Sequence, residues 1–139
     1  MNLLSLKKSR ITTIVICLLI ISSISVAFKI PHVDFTEPPI SEDTYVYILA
    51  AFSIINGDFS QPDTKPLGWS ILLSPFYLFD DSTDLLHYVN IARILSIAIS
   101  TITILPMYIL ARRFFDEKYS LVASCLFAFE PHLINNSTL

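Results

Sequence analysis

Glycine is nearly missing from this sequence, with two among 139 residues against eight prolines. That scarcity, with the lack of any fixed-period repeat, excludes collagen-like, solenoid and glycine-rich nucleotide-binding organisation. Cysteine is as rare. Cys17 and Cys125 both lie in apolar segments and read as small buried hydrophobes rather than as a disulfide or half of a metal site. The three histidines, His32, His87 and His132, stand far apart beside no recurrent acid or cysteine spacing, so no metal site is read from them. Charge is sparse too: charged residues make up 15% of the chain, and nine basic against twelve acidic residues leave a formal charge of −3. The basic residues form short clusters rather than a patch or tail, which excludes bulk nucleic-acid binding. What the chain has in excess is apolar surface. Hydrophobic residues reach 53%, too many for an ordinary soluble domain of this size, and the class implied is an integral membrane protein.

The apolar residues are grouped. After a basic cytoplasmic N-terminus, 1–10, with Lys7, Lys8 and Arg10, the run 11–28 contains no charge and is interrupted only by Ser and Thr, which can bond their own helix backbone. It reads as a first transmembrane helix. The alternative of a cleavable signal peptide needs a small-residue cleavage site, and Ala27-Phe28-Lys29 is a poor one. Residues 29–84 then form a long acidic loop, in which Asp34, Glu37, Glu42, Asp43, Asp58, Asp63, Asp80, Asp81 and Asp84 face only Lys29 and Lys65. Within it, Ser41-Glu42-Asp43 reads as a helix start, with a capping hydroxyl and two acids in the first turn, and Gly57 ends that helix. The apolar stretch from Leu67 to Phe79, broken by Pro75, is too short to span and predicts an interfacial, amphipathic juxtamembrane helix.

The run from Leu85 to Leu110, about 39 Å as a helix, predicts a second crossing over 85–111, with Arg93 near its start and Pro106 near its end. A cytoplasmic turn, 112–118, carries Arg112, Arg113 and Lys118, and a third crossing is expected over 119–134. Residues 135–139 follow on the outside, where Asn135-Asn136-Ser137-Thr138 holds two overlapping glycosylation acceptor patterns of little diagnostic value. The fold expected is therefore an all-α integral membrane protein with three transmembrane helices and a structured external loop. Short loops rich in Lys and Arg stay in the cytoplasm, so the three basic and acidic segments agree on a cytoplasmic N-terminus and an external acidic loop.

Glu42 and Asp43 are the residues that could do chemistry, since a helix N-terminus favours an ionised carboxylate and such a carboxylate can act as a base. Neighbours on a helix point about 100° apart, so only one can aim squarely at a substrate while the other orients it or caps the helix. The pair is not the separated two-carboxylate arrangement of a glycosidase. Acids in the first turn of an ordinary exposed helix are the plain structural alternative.

The ordered features are a first anchor, Asp43 with Tyr47 four residues on, Gly57, Lys65-Pro66 before an apolar half-helix, and Arg93 opening a helix that runs to Tyr108 and Ala111-Arg112-Arg113-Phe114-Phe115. In that order they resemble the N-terminal part of the polytopic glycosyltransferases of the dolichyl-phosphate-mannose protein mannosyltransferase and lipid A aminoarabinose transferase type. The resemblance covers most of the chain. It implies transfer of a sugar from a polyprenyl-phosphate-linked donor to a protein, lipid or glycan acceptor on the external face, with the loop carboxylate as general base. Asp43 matches that carboxylate best, but Glu42 precedes it where the family pair has its second acid following, and the choice between them stays open. Lys65 and Arg93 are then the candidates for holding the donor phosphate. Lys65 could equally be a surface charge, and Arg93 could snorkel or pair with Asp80, Asp81 or Asp84. Tyr47, Glu130 and His132 are candidates for lining a donor cavity, although Tyr45, Tyr47 and Trp69 read first as interface anchors, and Glu130-Pro131 as a helix end. Related oligosaccharide-transferring enzymes can use a divalent cation, which the resemblance allows here and the sequence alone does not establish. Those enzymes have many more crossings, so the sequence reads as a fragment, a truncated product or one part of a split protein, with a C-terminal membrane module as an expected partner. The rival class is a non-catalytic small membrane protein that packs against a larger partner through its Ser/Thr-rich second helix.

Overall fold

The computed structural model describes residues 3–38, 42–59, 66–80 and 82–130, with side chains from residue 11 onward. All regular structure among these residues is helical: α1 (Leu3–Lys29), a single 3₁₀ turn (Ile30–His32), α2 (Glu42–Ile55), α3 (Gly68–Leu78), α4 (Leu85–Ile102), α5 (Ile104–Ala111) and α6 (Glu117–Ala128). Two stretches are long and apolar enough to cross a bilayer, Ile11–His32 with 22 residues and Leu85–Ala111 with 27. The chain divides into two compact units, one made of Met1–His32 with Ser96–Thr138, the other of Val33–Leu95.

The expected third crossing does not form. The helix in that region, α6, has 12 residues, about 18 Å long against a hydrocarbon thickness of roughly 30 Å. It stops at Ala128 because Phe129 leaves helical geometry (φ −111°, ψ 15°), and because Pro131 disfavours helical backbone at Glu130 before it. Among the described residues there are two apolar helices of membrane length, not three.

In the first unit, α6 packs on α5 and α1 through small residues spaced four apart: Ser120, Ser124 and Ala128 are all buried. Their hydroxyls are satisfied locally, with Ser124 Oγ donating to the Ser120 carbonyl (2.8 Å) and Ser120 Oγ to the Asp116 carbonyl (3.0 Å). Ser25 of α1 donates to the Ala128 carbonyl (3.1 Å), meeting one of the carbonyls that the end of α6 leaves open. Small side chains let helices approach closely in an apolar setting. Ser124→Leu is therefore expected to lower stability by roughly 1–3 kcal/mol through overpacking, and Ser124→Ala to be nearly neutral. Thermal melts of the detergent-solubilised chain followed by circular dichroism test this, and equal melting of the two variants would contradict the packing.

Proline acts differently in the two apolar stretches. Pro106 lacks the amide that would bond the Ile102 carbonyl, and the helix is interrupted at Thr103 between α4 and α5. Pro75, expected to break the loop's apolar stretch, instead lies inside α3. The carbonyl it strands, that of Ile71, receives the hydroxyl of Ser74 at 2.9 Å, which lets the helix continue.

The second unit has its own core, built where α2, α3 and the first half of α4 meet: Ile48, Ala51, Leu73, Tyr77, Tyr88, Val89 and Ala92 are buried together. Phe52, Tyr77 and Tyr88 form an aromatic triangle with centroid separations of 4.9–5.4 Å. Tyr77 donates to the Tyr88 carbonyl (2.9 Å), and burial, with Tyr88 beside it, pushes its phenol well above the usual tyrosine range. Gly57, with φ +78°, closes α2 in the left-handed conformation, and the Gly57 and Asp58 amides bond the Ile54 and Ser53 carbonyls.

Candidate functional site

The acidic pair opens α2. Glu42 and Asp43 occupy its first turn and both are exposed, where the helix dipole and open amides favour negative charge. Ser41, the expected cap, lies outside the described residues. One turn on, Tyr47 is half-buried against the second unit's core, and its carbonyl receives the Ser70 hydroxyl at 3.0 Å. That bond ties α2 to α3, so the acidic end projects from a packed helix. Trp69 is half-buried against the same core.

Arg93 does not take the partners expected of it. It is 6% exposed, and its Nη1 donates to the carbonyls of Asp34 (2.6 Å) and Glu37 (3.1 Å) and to Asn90 Oδ1 (3.1 Å). Its Nε is buried with no partner among the described residues. Asn90, one helical turn earlier, donates to the Phe35 carbonyl (2.9 Å). Three carbonyls of the segment 34–37 are thus held by two side chains of α4. Asp34 tightens the same segment by accepting both the Thr36 amide (2.8 Å) and hydroxyl (2.6 Å), and these bonds, with a smaller contribution from Arg93, hold its carboxyl below the usual carboxylate range. The clamped segment precedes α2 in the chain, and residues 39–41 between them lie outside the described residues.

Asp80 and Asp84 serve other groups. Asp80 accepts a 2.5 Å bond from His87 Nε2 and the Ser82 amide at 3.0 Å, and its carboxyl is held below the usual range mainly by His87. Asp84 caps α4 by accepting the Leu86 amide (2.9 Å). Asp81 lies outside the described residues, as do Lys65 and His132. Glu130 is half-buried just past α6, in the first unit. The structure therefore brings Glu42, Asp43 and Tyr47 together on α2 and gathers Asn90 and Arg93 over residues 34–37. Asn90 went unread in the sequence, and its spacing of three before Arg93, which puts both on one helix face, was the available signal.

A second buried cation was also read differently. Lys29, expected to begin the external loop, is 1% exposed, with Nζ donating to Ser100 Oγ at 2.8 Å. Among the described residues no group of three or more His, Cys, Asp or Glu side chains could hold a metal ion. Beyond α5, the residues Arg112, Arg113, Phe114, Phe115, Asp116 and Tyr119 line a depression of about 570 Å³. Comparison with family models, curated proteins and solved structures finds no match to this chain.

Proposed function

We propose that this chain serves a membrane glycosyltransferase that moves a sugar from a polyprenyl-phosphate-linked donor to an acceptor on the external face of the bilayer. The observation that carries the reading is the exposed Glu42–Asp43 pair at the head of a packed helix, in the segment that joins the two membrane-length helices. The ordered motifs around it support the same reading. Basic residues at both flanks, Lys7, Lys8 and Arg10 before the first helix and Arg112, Arg113 and Lys118 after the second, orient the acidic loop outward.

In this reading the Asp43 carboxylate takes the proton from an acceptor hydroxyl or amine as that oxygen or nitrogen bonds to the anomeric carbon. The bond from that carbon to the phosphate oxygen breaks from the opposite face, and its electron pair leaves with the lipid phosphate. The departing phosphate needs a cation at the bilayer surface. Lys65 is the candidate, because Arg93 Nη1 is already committed to carbonyls and Arg93 acts by positioning. The rival, non-catalytic reading packs the Ser/Thr-rich second apolar helix against a larger partner. Ser100, Thr101 and Thr103 donate their hydroxyls to carbonyls of that helix, so such packing would rest on close approach rather than on hydrogen bonds between helices.

The test is transfer of radiolabelled sugar from polyprenyl-phosphate donors to endogenous acceptors in membranes containing the chain, against membranes lacking it. Incorporation above the empty membranes is expected. Equal incorporation, with a C-terminal membrane module also supplied, would overturn the proposal.

A further inference from the structure

We infer that the turn between α5 and α6 is a binding site for the headgroup of an anionic phospholipid. Its place is fixed by the fold: Ala111 ends the second membrane-length helix, and Arg112 and Arg113 follow at once. The two arginines are used differently. Arg112 Nη1 donates to the Phe115 carbonyl at 2.9 Å, which closes the turn. Arg113 is exposed, and its guanidinium has no partner among the described residues. Phe114, Phe115 and Tyr119 are 74%, 57% and 67% exposed, an unfavourable display in water and a favourable one at the level of glycerol backbones and upper acyl chains. Aromatic and basic side chains thus line one depression of about 570 Å³.

A phosphodiester suits this lining. A guanidinium offers paired donors that match two phosphate oxygens, and basic pockets at the cytoplasmic ends of membrane helices favour acidic headgroups. Phosphatidylcholine would bring its own cation toward Arg113, whereas a glycerol headgroup leaves the phosphate charge unbalanced. Asp116, on the same rim, opposes the anion. Its carbonyl opens α6 by accepting the Ser120 amide and hydroxyl, so its carboxylate can be neutralised without disturbing the turn.

The experiment is native mass spectrometry of the full chain released from neutral detergent, counting retained phosphatidylglycerol against phosphatidylcholine. A preference for phosphatidylglycerol is expected, reduced about fivefold in Arg113→Gln and increased in Asp116→Asn, with circular dichroism unchanged in both. Equal retention of the two lipids, or a preference indifferent to Arg113→Gln, would overturn the site. Displacement of phosphatidylglycerol by millimolar inorganic phosphate would overturn the lipid as its occupant and reassign the depression to a soluble phosphate.

Discussion

Replacing Arg93 with methionine is expected to destabilise the unit Val33–Leu95 by about 3 kcal/mol. One nitrogen, Nη1, makes three bonds, at 2.6, 3.1 and 3.1 Å, and two of them end on main-chain carbonyls that no other side chain serves among the described residues. Hydrogen bonds from a charged donor are worth about 1.5–3 kcal/mol each. Two effects offset part of that sum. Asp34 and Glu37 are exposed, so water replaces some of what their carbonyls lose, and methionine relieves the buried, unpartnered Nε. Lysine rescues only in part: its ammonium carries donors enough for the three acceptors that Nη1 serves, but it is more strongly hydrated than a guanidinium and costs more to bury. Asn90→Ala removes both its bond to the Phe35 carbonyl and the one it accepts from Arg93 Nη1, and costs about 1–2 kcal/mol. The Arg93–Asn90 bond makes the double variant less than additive. Trp69, the sole tryptophan, packs on the second unit's core and reports its unfolding by fluorescence, while limited proteolysis at residues 34–37 reports release of the clamp. A methionine variant with unchanged denaturation midpoint and unchanged proteolysis would show that Arg93 holds nothing.

The same arginine shows where the sequence stops being informative. Its burial in a largely apolar helix was foreseeable from cost, since a charge there needs partners. Its partners were not, because a backbone carbonyl has no letter in a sequence and every residue carries one. Acid partners were the natural guess, and the acids nearby are taken up by His87, Ser82 and Leu86 instead. Lys29 is a parallel case. An apolar run ending in lysine reads as a helix whose charge reaches for water, yet the chain turns it toward a serine hydroxyl 71 residues away.

Helix starts and stops divided along similar lines. The long charge-free run of α1 and the left-handed glycine closing α2 are local signals, legible because composition or a single backbone angle decides them. The helix through Pro75 depends on whether the next side chain can serve the stranded carbonyl, and Ser74 does so. The shortness of α6 was concealed by apolar residues continuing past Ala128. Hydropathy summed over a window does not see that the backbone has already left the helix two residues before a proline. The small-residue stripe Ser120, Ser124 and Ala128 lowers the apolar content of α6 for a packing reason, and the same residues that weaken it as a crossing make it a close neighbour of α5 and α1.

For the proposed transferase, Asp43→Asn is expected to reduce sugar transfer by about 10²–10⁴-fold, the range over which a positioned base contributes. The substitution keeps the shape and removes only the charge and the proton acceptor. Both acids of the pair are exposed at the first turn of α2, apart from the residues that pack its body against the second unit's core, so loss of one carboxylate leaves the packed body of α2 in place. Abundance and Trp69 fluorescence should therefore match the parent, which separates lost chemistry from lost protein. Glu42→Gln is the internal control. Its side chain leaves the helix about 100° from that of Asp43, so a substrate seated on Asp43 is out of its line, and transfer should fall by no more than about fivefold. The reverse pattern would move the base to Glu42 and keep the mechanism. Full activity in both variants would remove the loop carboxylate from the chemistry, leaving the pair as first-turn acids of an exposed helix. Arg93→Lys adds a third readout. As a positioning residue it should lower transfer together with Trp69-reported stability, whereas a phosphate-binding residue would raise the donor KM with stability intact.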